Sequence, residues 1–191
     1  MSAPVLHVLA GPNGAGKSTF AHEVLQPTTH LPFINADEIA AQRWPGEEEQ
    51  HAYEAAAAAA QARAEALHSG RSFIAETVFS HPSKVELVQQ AVAVGYVVEL
   101  HVVLVPEDLA VARVAYRVEG GGHTVPEEKV RERYRRLWPL VAEATHVAHR
   151  AHFYDNSRAD AFRPVADFEL GRPAGAPTWP AWTPGTLIAG L

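Results

Sequence analysis

The chain has 191 residues, 47% hydrophobic and 20% charged, which fits one globular domain with a sizeable core rather than a disordered chain. Lys and Arg total 16 against 22 Asp and Glu, a formal net charge of -6, so nucleic-acid binding driven by overall charge is disfavoured. Cysteine is absent, excluding a disulfide scaffold, a thiolate zinc site and a cysteine nucleophile. No apolar run is long enough to cross a bilayer. Met1-Ser2-Ala3-Pro4 lacks a basic leader region, so a soluble cytoplasmic enzyme is the expectation.

Val5 to Ala10 is short, mostly apolar and stopped by Gly11 and Pro12; it predicts a buried strand. A helix is expected from Lys17 to about Leu25, then a strand over Pro32-Phe33-Ile34-Asn35, with Asp37 opening another helix. Six consecutive alanines, Ala55 to Ala60, predict a long helix from Glu49 to about His68, because alanine is the best helix former. Ser72 to Ala75 reads as a third strand, Pro82 to Val94 as a helix and Tyr96 to Val105 as a fourth strand. Glu107 to Val118 is helical until Gly120-Gly121-Gly122, and Pro126 opens a helix running to about His149, a favourable place for proline. His152 to Tyr154 makes a fifth strand and Val165 to Leu170 a sixth.

Strands alternating with helices predict an α/β fold, a mostly parallel five- or six-stranded sheet flanked by helices. The expected division is a domain over residues 1–170 with a helical lid at about 113–136, and a Pro/Trp-rich tail over 171–191. The tail reads as extended chain laid over the domain surface.

Gly11-Pro12-Asn13-Gly14-Ala15-Gly16-Lys17-Ser18 fits G-x-x-x-x-G-K-[ST], is followed by Thr19 and lies between a predicted strand and a predicted helix. That context is the one a P-loop requires. Glycines let successive backbone N–H groups turn toward phosphate oxygens, and the helix N-terminus adds positive charge. Lys17 is expected on the β- and γ-phosphates of ATP and the Ser18 hydroxyl on Mg²⁺. A transporter-type ATPase would also need an apolar strand ending in Asp-Glu and a Ser-Gly-Gly motif before it. The sequence has neither.

Phosphoryl transfer also needs a group to deprotonate or orient the acceptor, and cations over the transferring phosphate. Asp37 and Glu76 follow predicted strand ends, where ligands bind in open α/β sheets. Asp37 is suited to take a proton from a substrate hydroxyl, with a helix N-cap as its structural alternative. Glu76 is suited to hold a magnesium water or the acceptor. Arg113 and Arg117 share a helix face, and Arg131, Arg133, Arg135 and Arg136 follow the glycine segment. Two Arg-bearing helices flanking glycines suit a closing lid whose guanidiniums meet phosphate oxygens. For any one of these arginines a solvated helix face is the alternative. His146, His149 and His152 lack a carboxylate to complete a metal set. The loop Tyr154-Asp155-Asn156-Ser157 is either a base-contacting loop or an ordinary Asx turn.

In combination these pieces resemble the zeta-toxin-like group of small P-loop kinases. The matching segments are Gly11 to Thr19, Asn35-Ala36-Asp37, Ser72 to Thr77, Gly95-Tyr96, Arg113-Val114 with Arg117-Val118, Gly121 to Pro126, and Tyr154 to Ser157. The resemblance implies an ATP-dependent kinase fold with a hydroxyl acceptor, which in the toxins is UDP-N-acetylglucosamine. It implies Asp37 as catalytic base and Glu76 as an acceptor-site residue; Thr77 and His123 are further candidates for the acceptor site, and Asn156 for the nucleotide. Where the family places a phosphate-reaching lid arginine, this chain has His123, leaving Arg113, Arg117, Arg131 and Arg133 as substitutes. An antitoxin partner is not inferable from the sequence. The competing expectations are a kinase of another small alcohol, such as a nucleoside or an antibiotic, and a nucleotide-gated binding module.

Overall fold

The computed structural model describes residues 2–119, 125–158 and 162–191. The expected glycine hinge, Gly120 to Gly122, and His123 lie outside the described residues. Seven strands form one sheet in the order β2-β3-β1-β4-β5-β6-β7. The first five in chain order are β1 (Val5–Ala10), β2 (Phe33–Ile34), β3 (Phe73–Glu76), β4 (Val97–Leu104) and β5 (Arg150–Asp155). They pair in parallel throughout. β6 (Arg163–Glu169) and β7 (Arg172–Pro173) continue the sheet antiparallel. The α/β class holds, with one strand more than the sequence predicts. A sharp return after β5 needs no helical crossover, so the pattern of alternating elements carries no sign of an antiparallel edge.

The P-loop helix is longer than expected. α1 (Lys17–Phe20) passes through a π-helical turn (Ala21–Leu25) into α2 (Gln26–Thr29). Pro27 has no N–H to donate, and it stands just where the wider turn has already interrupted the i→i−4 ladder. The other helices fall close to their predicted places: α3 (Ala36–Arg43), α4 (Ala52–His68), α5 (Ser83–Ala93), α6 (Glu107–Glu119) and α7 (Glu127–Val147).

Alternation along the central strands gives the sheet two unlike faces. Val98, Leu100, Val102 and Leu104 of β4 are wholly buried, and α5 and α7 pack on this strand and on each other. Phe153 of β5 meets Trp179 of the tail edge-on, with ring centroids 5.2 Å apart. Its neighbour Tyr154 points the other way and packs on Phe20 of the P-loop helix at 4.8 Å. The tail is not wholly extended. It ends in a short helix, α8 (Gly185–Ile188), which buries Leu187 completely and packs on α7. Among the described residues no helix is long and apolar enough to cross a membrane.

Candidate active site

The loop between β1 and α1 is held in its shape by local sterics and by one clamp from across the sheet. Gly14 and Gly16 have φ of 74° and 91°, the left-handed region that L side chains rarely enter. A Cβ on Gly14 would stand 2.8 Å from the Ala110 carbonyl oxygen, and one on Gly16 would stand 2.6 Å from Nδ2 of Asn156. That Asn156 amide donates to the Ala15 carbonyl over 2.8 Å, while its own backbone N–H donates to Leu104. Asn156 therefore fixes the loop from the end of β5. The Asx turn of this segment is present too, made by Asp155, whose Oδ1 accepts from the Ser157 N–H.

Lys17 is 6% exposed. Its ammonium donates to the Pro12 carbonyl at 3.0 Å and lies 3.7 Å from Glu76. Burial lowers its pKa, whereas the charges of Glu76 and Asp37 favour the ammonium and that of Arg117 opposes it. Four predicted residues are thus electrostatically joined, although they come from α1, α3, β3 and α6. A buried ammonium beside two arginines in one cleft suits a ligand that brings negative charge.

Glu76 ends β3 and collects two donors on one oxygen: the Ser18 hydroxyl at 2.7 Å and the Asn35 amide at 2.6 Å. Asn35 also caps α3, its Oδ1 accepting from the N–H groups of Asp37 and Glu38. The capping alternative for Asp37 is thereby overturned. The cap belongs to Asn35, and the Asp37 carboxyl lines the cleft instead. Asn35 is the residue whose part the sequence reading missed; an Asn two residues ahead of Asp37, at a strand-to-helix junction, was the available signal.

Asn13, Gly14, Gly16, Lys17, Ser18, Thr19, Asp37, Glu76, Val78, Arg113 and Arg117 line one cleft of about 280 Å³. Gly11, Pro12 and Ala15 are buried behind it. Oδ1 of Asn13 is buried there without a hydrogen-bond partner. Arg113 reaches back to the Gly14 carbonyl in a long 3.5 Å contact.

Several expectations are not met. Arg133 is not among the residues lining this cleft. Arg131, Arg135 and Arg136 are engaged elsewhere, Arg131 with Glu107, Asp108 and Glu127, Arg135 with Glu107, and Arg136 with Glu132. Of the arginines proposed for phosphate, Arg113 and Arg117 of α6 line the cleft, whereas Arg131 of α7 is engaged by carboxylates of its own chain. Thr77 is not in the cleft lining either. Its backbone N–H donates to Leu9 and its hydroxyl accepts from the Phe79 N–H, so it shapes the turn after β3. The three tail-proximal histidines have separate duties, His146 with the Gly190 carbonyl, His149 with the Val98 N–H and His152 with Asp167.

Residues 6–140 match the AAA_33 family of AAA domains. The chain belongs to that family. No curated protein matches the sequence. Among solved structures it is similar to the PezAT chromosomal toxin–antitoxin system of Streptococcus pneumoniae, at 18% identity and TM-score 0.66 over 86% of this chain and 72% of that one. It is similar to AvrRxo1-ORF1:AvrRxo1-ORF2, at 18% identity and TM-score 0.69 over 90% of this chain and 60% of that one; this chain thus spans about three fifths of that relative's length. A gluconokinase from Sinorhizobium meliloti 1021 matches at 19% identity and TM-score 0.54, over 83% and 86% of the two chains. The fold is that of the P-loop kinases, zeta-toxin-like members included.

Proposed function

We propose that the chain is an ATP-dependent kinase that transfers the γ-phosphoryl group to a hydroxyl of a sugar or nucleotide-sugar. The observation that carries this reading is the presence of Asp37 in the same cleft as Lys17, Ser18 and two arginines. A nucleotide-gated switch needs the cradle and one carboxylate near the magnesium, a part Glu76 can play, but it needs no second carboxylate as acceptor base. The likeness to a gluconokinase supports a hydroxyl acceptor.

The donor set fits a magnesium nucleotide. Ser18 and Glu76 offer hard oxygen ligands 2.7 Å apart, as Mg²⁺ prefers. When bound, the ion neutralises charge on the β- and γ-phosphates. Ser18 would hold the ion, and Glu76, which accepts the Ser18 hydroxyl hydrogen bond, would orient Ser18 toward it. Lys17, Arg113 and Arg117 bring three positive charges to the cleft, where charge on the transferring group is stabilised. Asp37 accepts the acceptor's hydroxyl proton as that oxygen forms its bond to the γ-phosphorus, while the bond to the bridging oxygen breaks and ADP departs. Asn35 positions Asp37 by capping α3 and positions Glu76 through its amide. A location in the cytoplasm, where ATP is made, accords with this chemistry.

The test is incubation of the protein with Mg-ATP and a metabolite extract, followed by mass spectrometry for species that have gained a phosphoryl group. UDP-N-acetylglucosamine is the first pure acceptor to try, with a nucleoside and an aminoglycoside as the other arms. A phosphorylated sugar or nucleotide-sugar is the expected product. Slow release of phosphate with no acceptor labelled supports the switch reading instead.

A further inference from the structure

We infer that His7, Glu99 and His101 form a binding site for one transition-metal dication of the zinc type, on the face of the central sheet and apart from the nucleotide cleft. His7 of β1 stands directly opposite Glu99 of β4 in the parallel register. His101 lies two residues beyond Glu99 and so on the same face. One ligand atom from each of the three lies within 4.8 Å of the other two. His7 Nδ1 is 3.0 Å from His101 Nε2 and 3.6 Å from Glu99 Oε2. Tetrahedral zinc, with bonds of about 2.0–2.1 Å, spaces its ligand atoms about 3.3 Å apart. The two separations from His7 straddle that value, and the third, between Glu99 and His101, lies within 4.8 Å, so side-chain adjustment suffices to close the three ligands on one ion.

The surroundings keep these ligands in place. Arg150 lies 3.5 Å from the other Glu99 oxygen, which leaves Oε2 to the histidine pair. The His101 ring is stacked between His7 and His152, each at 5.3 Å. Its Nδ1 is buried without a partner, so stacking rather than an outer hydrogen bond orients the ring. Burial moves both imidazoles toward the neutral form that ligates metal, against an opposing pull of Glu99 on His7. All three residues stand on the two middle strands, so the site is preorganised. The Glu99 side chain is 20% exposed, which provides an entry path and room for a water as fourth ligand. His101 also touches Phe20 of the P-loop helix, centroids 5.7 Å apart, so the ion would brace the sheet beneath the nucleotide cradle.

The competing account is a hydrogen-bonded histidine pair and nothing more. The metal site does not depend on the kinase reading, and its test uses no turnover. The full chain, stripped of metal by a chelator and kept in excess Mg²⁺ without nucleotide, is titrated with Co²⁺ and then with Zn²⁺. The expected result is one Co²⁺ per chain with the strong visible absorption of a four-coordinate site, displaced by Zn²⁺, and a higher melting temperature with metal. Glu99→Gln and His7→Gln are each expected to weaken binding by at least about tenfold. His51→Gln, at the surface histidine flanked by Glu47 and Glu54, is expected to leave it unchanged. The weak absorption of six-coordinate Co²⁺ in the wild-type chain would overturn the inference. So would an affinity that Glu99→Gln, an isosteric change at a partly exposed position, does not alter.

Discussion

The arginines of α6 and those of α7 look alike in the sequence and have different surroundings in the fold. Arg113 and Arg117 project from α6 into the cleft beside Lys17. Arg131, on α7, is held by three carboxylates, from Glu107, Asp108 and Glu127, which together push its already high pKa further up. Arg135 shares Glu107, and Arg136 pairs along its own helix with Glu132. A guanidinium that already has carboxylate partners gains little from a phosphate. One that faces a cleft with a buried ammonium gains much, because the ligand supplies the missing negative charge. The comparison teaches that partners, and not spacing along a helix, decide which basic residues serve the site.

The largest effect is expected at the centre of the cleft. Lys17→Ala should lower phosphoryl transfer by roughly 10²–10³-fold or more, as loss of a buried transition-state donor does. A turnover assay beside a thermal melt reads this, and undiminished turnover would break the account of the whole cleft. Arg117→Ala comes next, at about 10–10²-fold in kcat/KM, the worth of one charged hydrogen bond; steady-state kinetics check it. Gly16→Ala tests the cradle's shape: its Cβ would collide with the Asn156 amide. A lower melting temperature and weaker nucleotide binding by calorimetry are expected together. The smallest effect belongs to Arg131→Ala, for which turnover should match wild type, since exposed ion pairs contribute little. A large loss there would erase the distinction between the two helices.

Much of this was legible beforehand, for reasons that differ by element. The P-loop was readable because its motif is local: glycines at positions of positive φ, then lysine and serine at the head of the helix. Strand ends at Asn35 and Glu76 were readable from short apolar runs meeting polar residues. The α7 arginines were not, because Glu107 lies 24 residues from Arg131 and only the packing of α6 on α7 brings them together. The π-helical turn was hidden because it is a compromise around Pro27. Burial of Leu187 against α7 was hidden because a Pro-rich tail carries no periodicity to show which residue turns inward.

The central claim is that Asp37 activates an acceptor in a cleft that binds a nucleotide without its help. Asp37→Asn keeps the size of the side chain and removes its charge, and Asn35 continues to cap α3. Titration with a nonhydrolysable ATP analogue, paired with a transfer assay on the acceptor the mass spectrometry identifies, measures both halves of the claim in one variant. The account predicts nucleotide affinity and melting temperature close to wild type, with transfer reduced by roughly 10²-fold or more. Transfer retained at the wild-type rate would contradict it and remove Asp37 from the chemistry.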